Sequence, residues 1–453
     1  MGKKTPDFIS TTNACKLCRP LGACLAFKGM EGTVPYLHGS QGCATYMRRY
    51  IISHYNEPID IASSSLSEKH AVYGGGPNLK LGLTNVAKKY RPQMIGIATT
   101  CLTETIGDDV AMYLEEYRRD TEGSVGLPDL VHVATPSYAG THMEGFHGAV
   151  RQVLARKAEG GPGNRTINLL PGFVSSADYR YLKEIMADFG LDCTMLPDLS
   201  ETMDGPARLE YEKIPAGGTP LAAIGAMGRA RATIEFGRTL GEQEGGGSLL
   251  TERFGIINHR LGLPMGIRET DRFFSLLAEL SGRPMPAKYR DERGRLVDAY
   301  VDGHKYVFGR RAIIYGEEDL VVGLCALLAE MGIRPVLCAS GGTSGRLAEG
   351  VAAVSGDILA EQPQVHEGMD FFEISDMAEE LAPDLIVGHS KGYPLARRLD
   401  IPLIRVGFPI HDRVGGQRIL HLGYRGAQQL FDTVTNALIA RKQDESPVGY
   451  SYM

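Results

Sequence analysis

Residues 93–120 read QMIGIATTCLTETIGDDVAMYLEEYRRD, and this stretch decides the fold. QMIGIATT is an apolar run of strand length that stops at Cys101, and DDVAMYLEEYRRD has the length and spacing of a helix. A buried strand ending in a turn and followed by a helix is a βα unit. Open parallel sheets bind ligands beyond the carboxyl ends of their strands, so Cys101 stands at an edge where function is expected.

The same alternation extends in both directions. Upstream, LGACLAFKGM (21–30) reads as a short helix ended by Gly, and VPYLHGS (34–40) as a strand entering a Gly turn. ATYMRRYIISHYNEP (44–58) follows with Met47, Tyr50, Ile51 and His54 on one helical face and Pro58 at its end. SEKHAVYGGG (67–76) reads as a loop before the next helix. Downstream, DLVHVATP, TINLLPG, LDCTML, TPLAAIGA and GRARATIEFGRTL continue the series of apolar runs, with helix-length segments between several of them. A helical stretch from Glu269 to Leu280 precedes the last third, where RAIIYG, RPVLCAS, PDLIVGHS and IPLIRVGFP are the strands and GAQQLFDTVTNALIARK is a terminal helix. Short apolar runs alternating with helices predict parallel sheets buried on both faces. The expected fold is α/β, with three doubly wound, Rossmann-like domains over 1–160, 161–300 and 301–453. GEQEGGG (241–247) reads as a Gly-rich surface loop. GGTSGR (341–346) is a weak anion-cradle signal.

The chain has 453 residues, a net charge of −6 and no Trp. That balance gives no basic field for nucleic acid. No apolar run approaches the ~20 residues that span a bilayer, and MGKKTPDFIS has no signal-peptide core, so a cytoplasmic protein without a membrane partner is expected.

Eight cysteines in a chain of this size are not needed as a disulfide framework. Cys193, Cys325 and Cys338 lie in apolar patterns and read as core. Cys15, Cys18, Cys24, Cys43 and Cys101 fall in the first quarter, and Cys18, Cys43 and Cys101 sit beside glycine, proline or small polar residues. There backbone approaches a bulky group closely and N–H groups are free to face anionic sulfur. Thiolates hold iron–sulfur clusters, and a cubane takes four. Three on one chain leave the cluster to be completed by a second polypeptide or a non-cysteine ligand; buried free thiols are the bland alternative.

CRPLGA, VPYLHGSQGCATY, HYNEP, AVYGG, RPQMIGIATTCLTETIGDD, TPSYAGTHMEG, NLLPGF, DERGRLVDAYVDGH, PLIRVGFPIHDR and LGYRGA occur in that order. In this the chain resembles the β-type subunits of the nitrogenase component 1 superfamily over nearly its whole length. The resemblance implies that Cys18, Cys43 and Cys101 ligate half of an [8Fe–7S] P-cluster, the other half coming from an α-type chain in an α2β2 heterotetramer. Ser40 would line the cluster, and Tyr46 would lie between it and an active-site iron–sulfur cofactor in the partner. Thr141 stands where the molybdenum type has a serine that ligates the oxidised cluster. Tyr73 matches an aromatic where an ATP-dependent iron protein docks. Glu57, Asp298 and Asp302 match a cation site between β subunits, with Asn56 in place of the family's arginine beside Glu57. The molybdenum type's long N-terminal extension is not among these residues. These departures favour a methylthio-alkane-reductase-like electron-relay subunit. The alternatives are the N-type scaffold of cofactor maturation, whose chains read TTGL where this one reads TTCL, and a dinitrogen-reducing β subunit.

Overall fold

The computed structural model describes residues 15–123 and 126–448; most of the N-terminal tail, including MGKKTPDFIS, lies outside them. Three parallel sheets succeed one another along the chain. The first holds β1 (Thr33–His38), β2 (Ala62–Ser63), β3 (Met94–Thr99) and β4 (Asp129–Val133) in the order β2-β1-β3-β4. The second holds β5 (Ile167–Leu170), β6 (Cys193–Met195), β7 (Ala232–Phe236) and β8 (Asn258–Leu261) in the order β6-β5-β7-β8. The third holds β9 (Arg311–Gly316), β10 (Arg334–Ser340), β11 (Gln364–His366), β12 (Leu385–Gly388) and β13 (Leu403–Arg405) in the order β11-β10-β9-β12-β13. Every residue of β1 and β3 is buried, which is why these strands read as continuous apolar runs rather than alternating ones. One apolar cluster joins residues of all three units, from Leu17 to Leu438.

Seven helices surround the first sheet: α1 (Arg19–Lys28), α2 (Gln41–Tyr55), α3 (Glu68–Tyr73), α4 (Gly76–Tyr90), α5 (Cys101–Ile106), α6 (Val110–Asp120) and α7 (His142–Lys157). Pro20 opens α1, whose remaining residues through Lys28 are all buried. Its backbone lies directly on α7. A Cβ added at Gly22 would sit 1.6 Å from the carbonyl oxygen of His142, and one at Gly145 would sit 1.8 Å from that of Arg19. The face expected on α2 is present, with Met47, Ile51 and His54 buried and Tyr50 half-buried. That helix ends at Asn56, in the left-handed region at φ 56°, before Pro58 is reached.

Four local expectations are corrected. SEKHAVYGGG is not all loop, because Ser67 caps the short helix α3. TPLAAIGA is not a strand but the helix Leu221–Ala226, entered from Pro220. In GEQEGGG, Gly245, Gly246 and Gly247 are buried, and added Cβ atoms would strike Glu235, Leu154 and Asn258. These glycines let a helix approach the second sheet closely. Cys193 is half-buried rather than core, whereas Cys325 and Cys338 are fully buried. Among the described residues no helix is long and apolar enough to cross a membrane.

Candidate metal-cluster site

Cys18, Cys43 and Cys101 all come from the first unit and are all half-buried. Cys18 is the N-cap of α1, Cys43 lies in the first turn of α2, and Cys101 is the first residue of α5. The Cys101 turn is fixed by its neighbours. The Thr100 amide donates to Thr103 Oγ1 at 3.1 Å, and Thr103 Oγ1 in turn donates to the His38 carbonyl at 3.0 Å, tying the turn to the end of β1. Thr135 joins the ends of β3 and β4 by its amide to Thr99 Oγ1 at 2.8 Å and its hydroxyl to the Thr99 carbonyl at 2.7 Å. Two residues on, the Ser137 amide donates to Cys101 Sγ at 3.2 Å. Ser40 Oγ donates to Cys43 Sγ at 3.4 Å. Ser137 was not singled out from sequence; the signal for it was the PSYAG turn that follows β4.

Burial pushes the Cys18 thiol above its ordinary range, the Ser137 hydroxyl opposes this, and the nearby Cys101 and Cys43 add to the rise. The three sulfurs therefore share one electrostatic neighbourhood. Among the described residues no three His, Cys, Asp or Glu side chains are gathered tightly enough for a single metal ion. The rim around them is open: Gln41, Gly42, Thr45, Tyr46, Tyr138 and Ala139 are exposed. Such a donor set, with sulfur acceptors met by N–H and O–H donors and one face open to the outside, fits an iron–sulfur group completed from elsewhere.

Tyr46 is 41% exposed, and its ring centroid lies 4.7 Å from that of Tyr50. Thr141 is buried and caps α7. Its hydroxyl accepts from the Met143 amide at 3.1 Å and bonds Glu144, whose carboxylate also accepts from the Thr141 amide at 2.7 Å. Tyr73 ends α3 and is 85% exposed. The glycine turn after it is held by Asp108, which accepts from the Gly75 amide at 3.1 Å and pairs with His38 Nε2 at 3.0 Å. Glu57 lies beyond α2 beside Asp204 and Gly205, and burial with the Asp204 charge raises its carboxyl. Asp298 and Asp302 are one turn apart on an exposed face of the helix Ala287–Val307, and the chain by itself does not form a metal site from them and Glu57.

Cys15 and Cys24 are fully buried, and burial pushes the Cys15 thiol up to about 12. Cys15 packs in the third unit's core with Tyr315 and Phe371. Amides in and just after GGTSGR already serve this chain's own carboxylates: Ser344 donates to Glu318 at 3.2 Å, and Gly345 and the following Leu347 donate to Glu367 at 2.8 and 3.0 Å.

A family model described as nitrogenase component 1 type oxidoreductase matches residues 18–439. The chain is 33% identical to the nitrogenase molybdenum-iron protein beta chain of Clostridium pasteurianum over 96% of this chain and 94% of that one. It is 33% identical to the nitrogenase iron-molybdenum cofactor biosynthesis protein NifN of Bradyrhizobium diazoefficiens, over 97% and 92%. The solved structure of nitrogenase Cp1 at pH 6.5 superposes with a TM-score of 0.94 at 31% identity, covering 100% of this chain and 98% of that one. A chain of nitrogenase Cp1 at pH 5 shares the fold alone, at TM-score 0.72 and 14% identity over 97% and 92%.

Proposed function

This chain belongs to the nitrogenase component 1 family as a β-type subunit of an oxidoreductase complex, and we propose that Cys18, Cys43 and Cys101 ligate an iron–sulfur cluster shared with an α-type chain. The observation that carries this reading is the donor set: three half-buried thiols, one meeting the Ser137 amide at 3.2 Å and another the Ser40 hydroxyl at 3.4 Å. Such donors disperse thiolate charge and tune the potential of whatever the sulfurs hold. Three thiolates fall short of a complete ligand set, and an [8Fe–7S] group of the P-cluster type, half held by the partner, meets the shortfall. When bound, that group supplies electron transfer.

The chain's own part is to hold and orient. The contact of α1 with α7 sets Cys18, the Thr103 and Thr135 bonds set Cys101, and Ser40 steadies Cys43. We assign Tyr46 to the surroundings of the cluster and Tyr73 to docking of an ATP-dependent iron protein in an α2β2 complex. The Thr141 hydroxyl is engaged by Glu144, so its use as a ligand requires that capping pair to open. Glu57 of one copy with Asp298 and Asp302 of another offer hard oxygen ligands for a structural divalent cation.

For the complex we propose reduction of the C–S bond of small thioethers, with electrons passed to an iron–sulfur cofactor in the α-type chain; Asn56 and Thr141 support this branch. The likeness to the biosynthesis protein supports a second reading, a maturation scaffold. The likeness to the molybdenum-iron beta chains supports a third, dinitrogen reduction. The test is purification with the α-type partner, iron analysis and turnover of dimethyl sulfide and of dinitrogen. One [8Fe–7S] group per αβ pair and loss of turnover in Cys101→Ala are expected. A four-iron group untouched by Cys101→Ala favours the scaffold, and absence of iron overturns the cluster reading.

A further inference from the structure

Thr141 and Glu144 also form a wall of a cavity where residues of all three units meet. Gly316, Glu317, Ser340 and Gly342 place it at the carboxyl ends of β9 and β10, the edge where open parallel sheets bind ligands. Five carboxylates line it, those of Glu144, Glu244, Glu317, Glu318 and Asp319, with Lys16 as the one lysine or arginine. Each commits an oxygen to a donor of its own chain. Glu144 accepts from the Thr141 amide at 2.7 Å, Glu244 from the Gly241 amide at 2.8 Å, and Glu317 from His142 Nε2 at 2.9 Å. Glu318 accepts from the Ser344 amide at 3.2 Å and Asp319 from the Thr239 amide at 3.0 Å. The second oxygens of Glu244, Glu317 and Asp319 have no hydrogen-bond partner among the described residues. Burial pushes the Glu318 carboxyl up to about 7, with the charges of Glu367 and Glu144 adding to the rise.

A separate observation comes from His147 on the same wall. It is 8% exposed, and neither ring nitrogen has a hydrogen-bond partner among the described residues. The charges that act on it include those of Asp319, Glu144 and Glu244. An imidazole held in a cavity wall with both ring nitrogens uncommitted is free to meet a ligand there. A bare ion does not meet it, since no three of these side chains are gathered for one. A ligand that does so brings positive charge together with several N–H donors, which charge-assisted hydrogen bonds to carboxylates reward.

We infer that this cavity binds a small organic amine, its ammonium N–H groups bridging the free carboxylate oxygens and His147. The inference is independent of the iron–sulfur reading, because its test does not use the cluster. Isothermal titration of the purified complex with 1,4-diaminobutane is expected to show one saturable site per chain, absent with KCl at equal ionic strength. Loss of one charge-assisted bond is expected to weaken binding roughly tenfold in Asp319→Asn. The shape-preserving Glu318→Gln provides a second variant, with circular dichroism showing that each is folded. His147→Phe is expected to abolish the site, and His147→Gln to restore part of it. No saturable heat, heat unchanged in both acidic variants, or Mn²⁺ bound there to the exclusion of the diamine overturns the inference.

Discussion

His54 shows how far one buried side chain governs acid sensitivity. Its Nδ1 accepts from the Ile410 amide at 2.9 Å, so the ring is held neutral, and burial lowers its pKa to about 3. In the unfolded chain it titrates near 6.5. A folded pKa below the unfolded one means that stability is complete above about 6.5 and is lost as pH falls from there towards 3. The difference in urea midpoint between wild type and His54→Asn is therefore expected to shrink steadily from pH 7 to pH 4; a pH-independent difference would contradict this. The turns that carry Cys18, Cys43 and Cys101 were legible from sequence because small residues flank each of these cysteines. Ser137 was not, because its contribution is a backbone amide, and any residue type but proline supplies one. The unused carboxylate oxygens around His147 were equally hidden, since they come from segments about a hundred residues apart.

At the scale of elements, legibility followed burial. Strands such as β3, buried on both faces, announce themselves as apolar runs, and helices with one apolar face do so by their spacing. The helix Ala287–Val307 did neither, because Tyr289, Leu296, Gly303 and Val307 are its only buried residues and the rest is mostly charged or polar. TPLAAIGA misled for the opposite reason: a six-residue helix is too short to display a period, so an apolar run looks like a strand. The α1–α7 contact bears on the candidate site through Cys18. Gly22 and Gly145 let two backbones touch, and Cys18 is set by the start of α1. Gly22→Ala forces the helices apart, at a cost of roughly 1–3 kcal/mol or more. A lower melting temperature and reduced iron content in the purified complex are expected; full iron loading at wild-type stability would show that the contact does not set Cys18.

At the scale of the molecule, the three parallel sheets were readable because the βα alternation repeats along the whole chain, whereas their mutual packing was not, being built by scattered residues of one shared core. All three cysteines belong to one unit, so the other two act on the site only through contacts. Asp108 turns this arrangement into a machine part. A single carboxylate grips the glycine turn behind Tyr73 and the last residue of β1, from which the chain runs directly into Ser40 and Cys43, and it stands seven residues beyond Cys101 in sequence. It works as the pin of a bell crank. A displacement at the exposed tip of α3 is expected to reach the end of β1 through this buried carboxylate–imidazole pair. Asp108→Ala draws that pin, and hydrogen exchange at the Gly75 amide is expected to rise while exchange in β3 stays unchanged; equal protection of Gly75 in both proteins would show that the crank is held elsewhere. With the pin in place, a displacement of Tyr73 and a displacement of the turn that bears Ser40 and Cys43 are expected to be tied to one another through a single side chain.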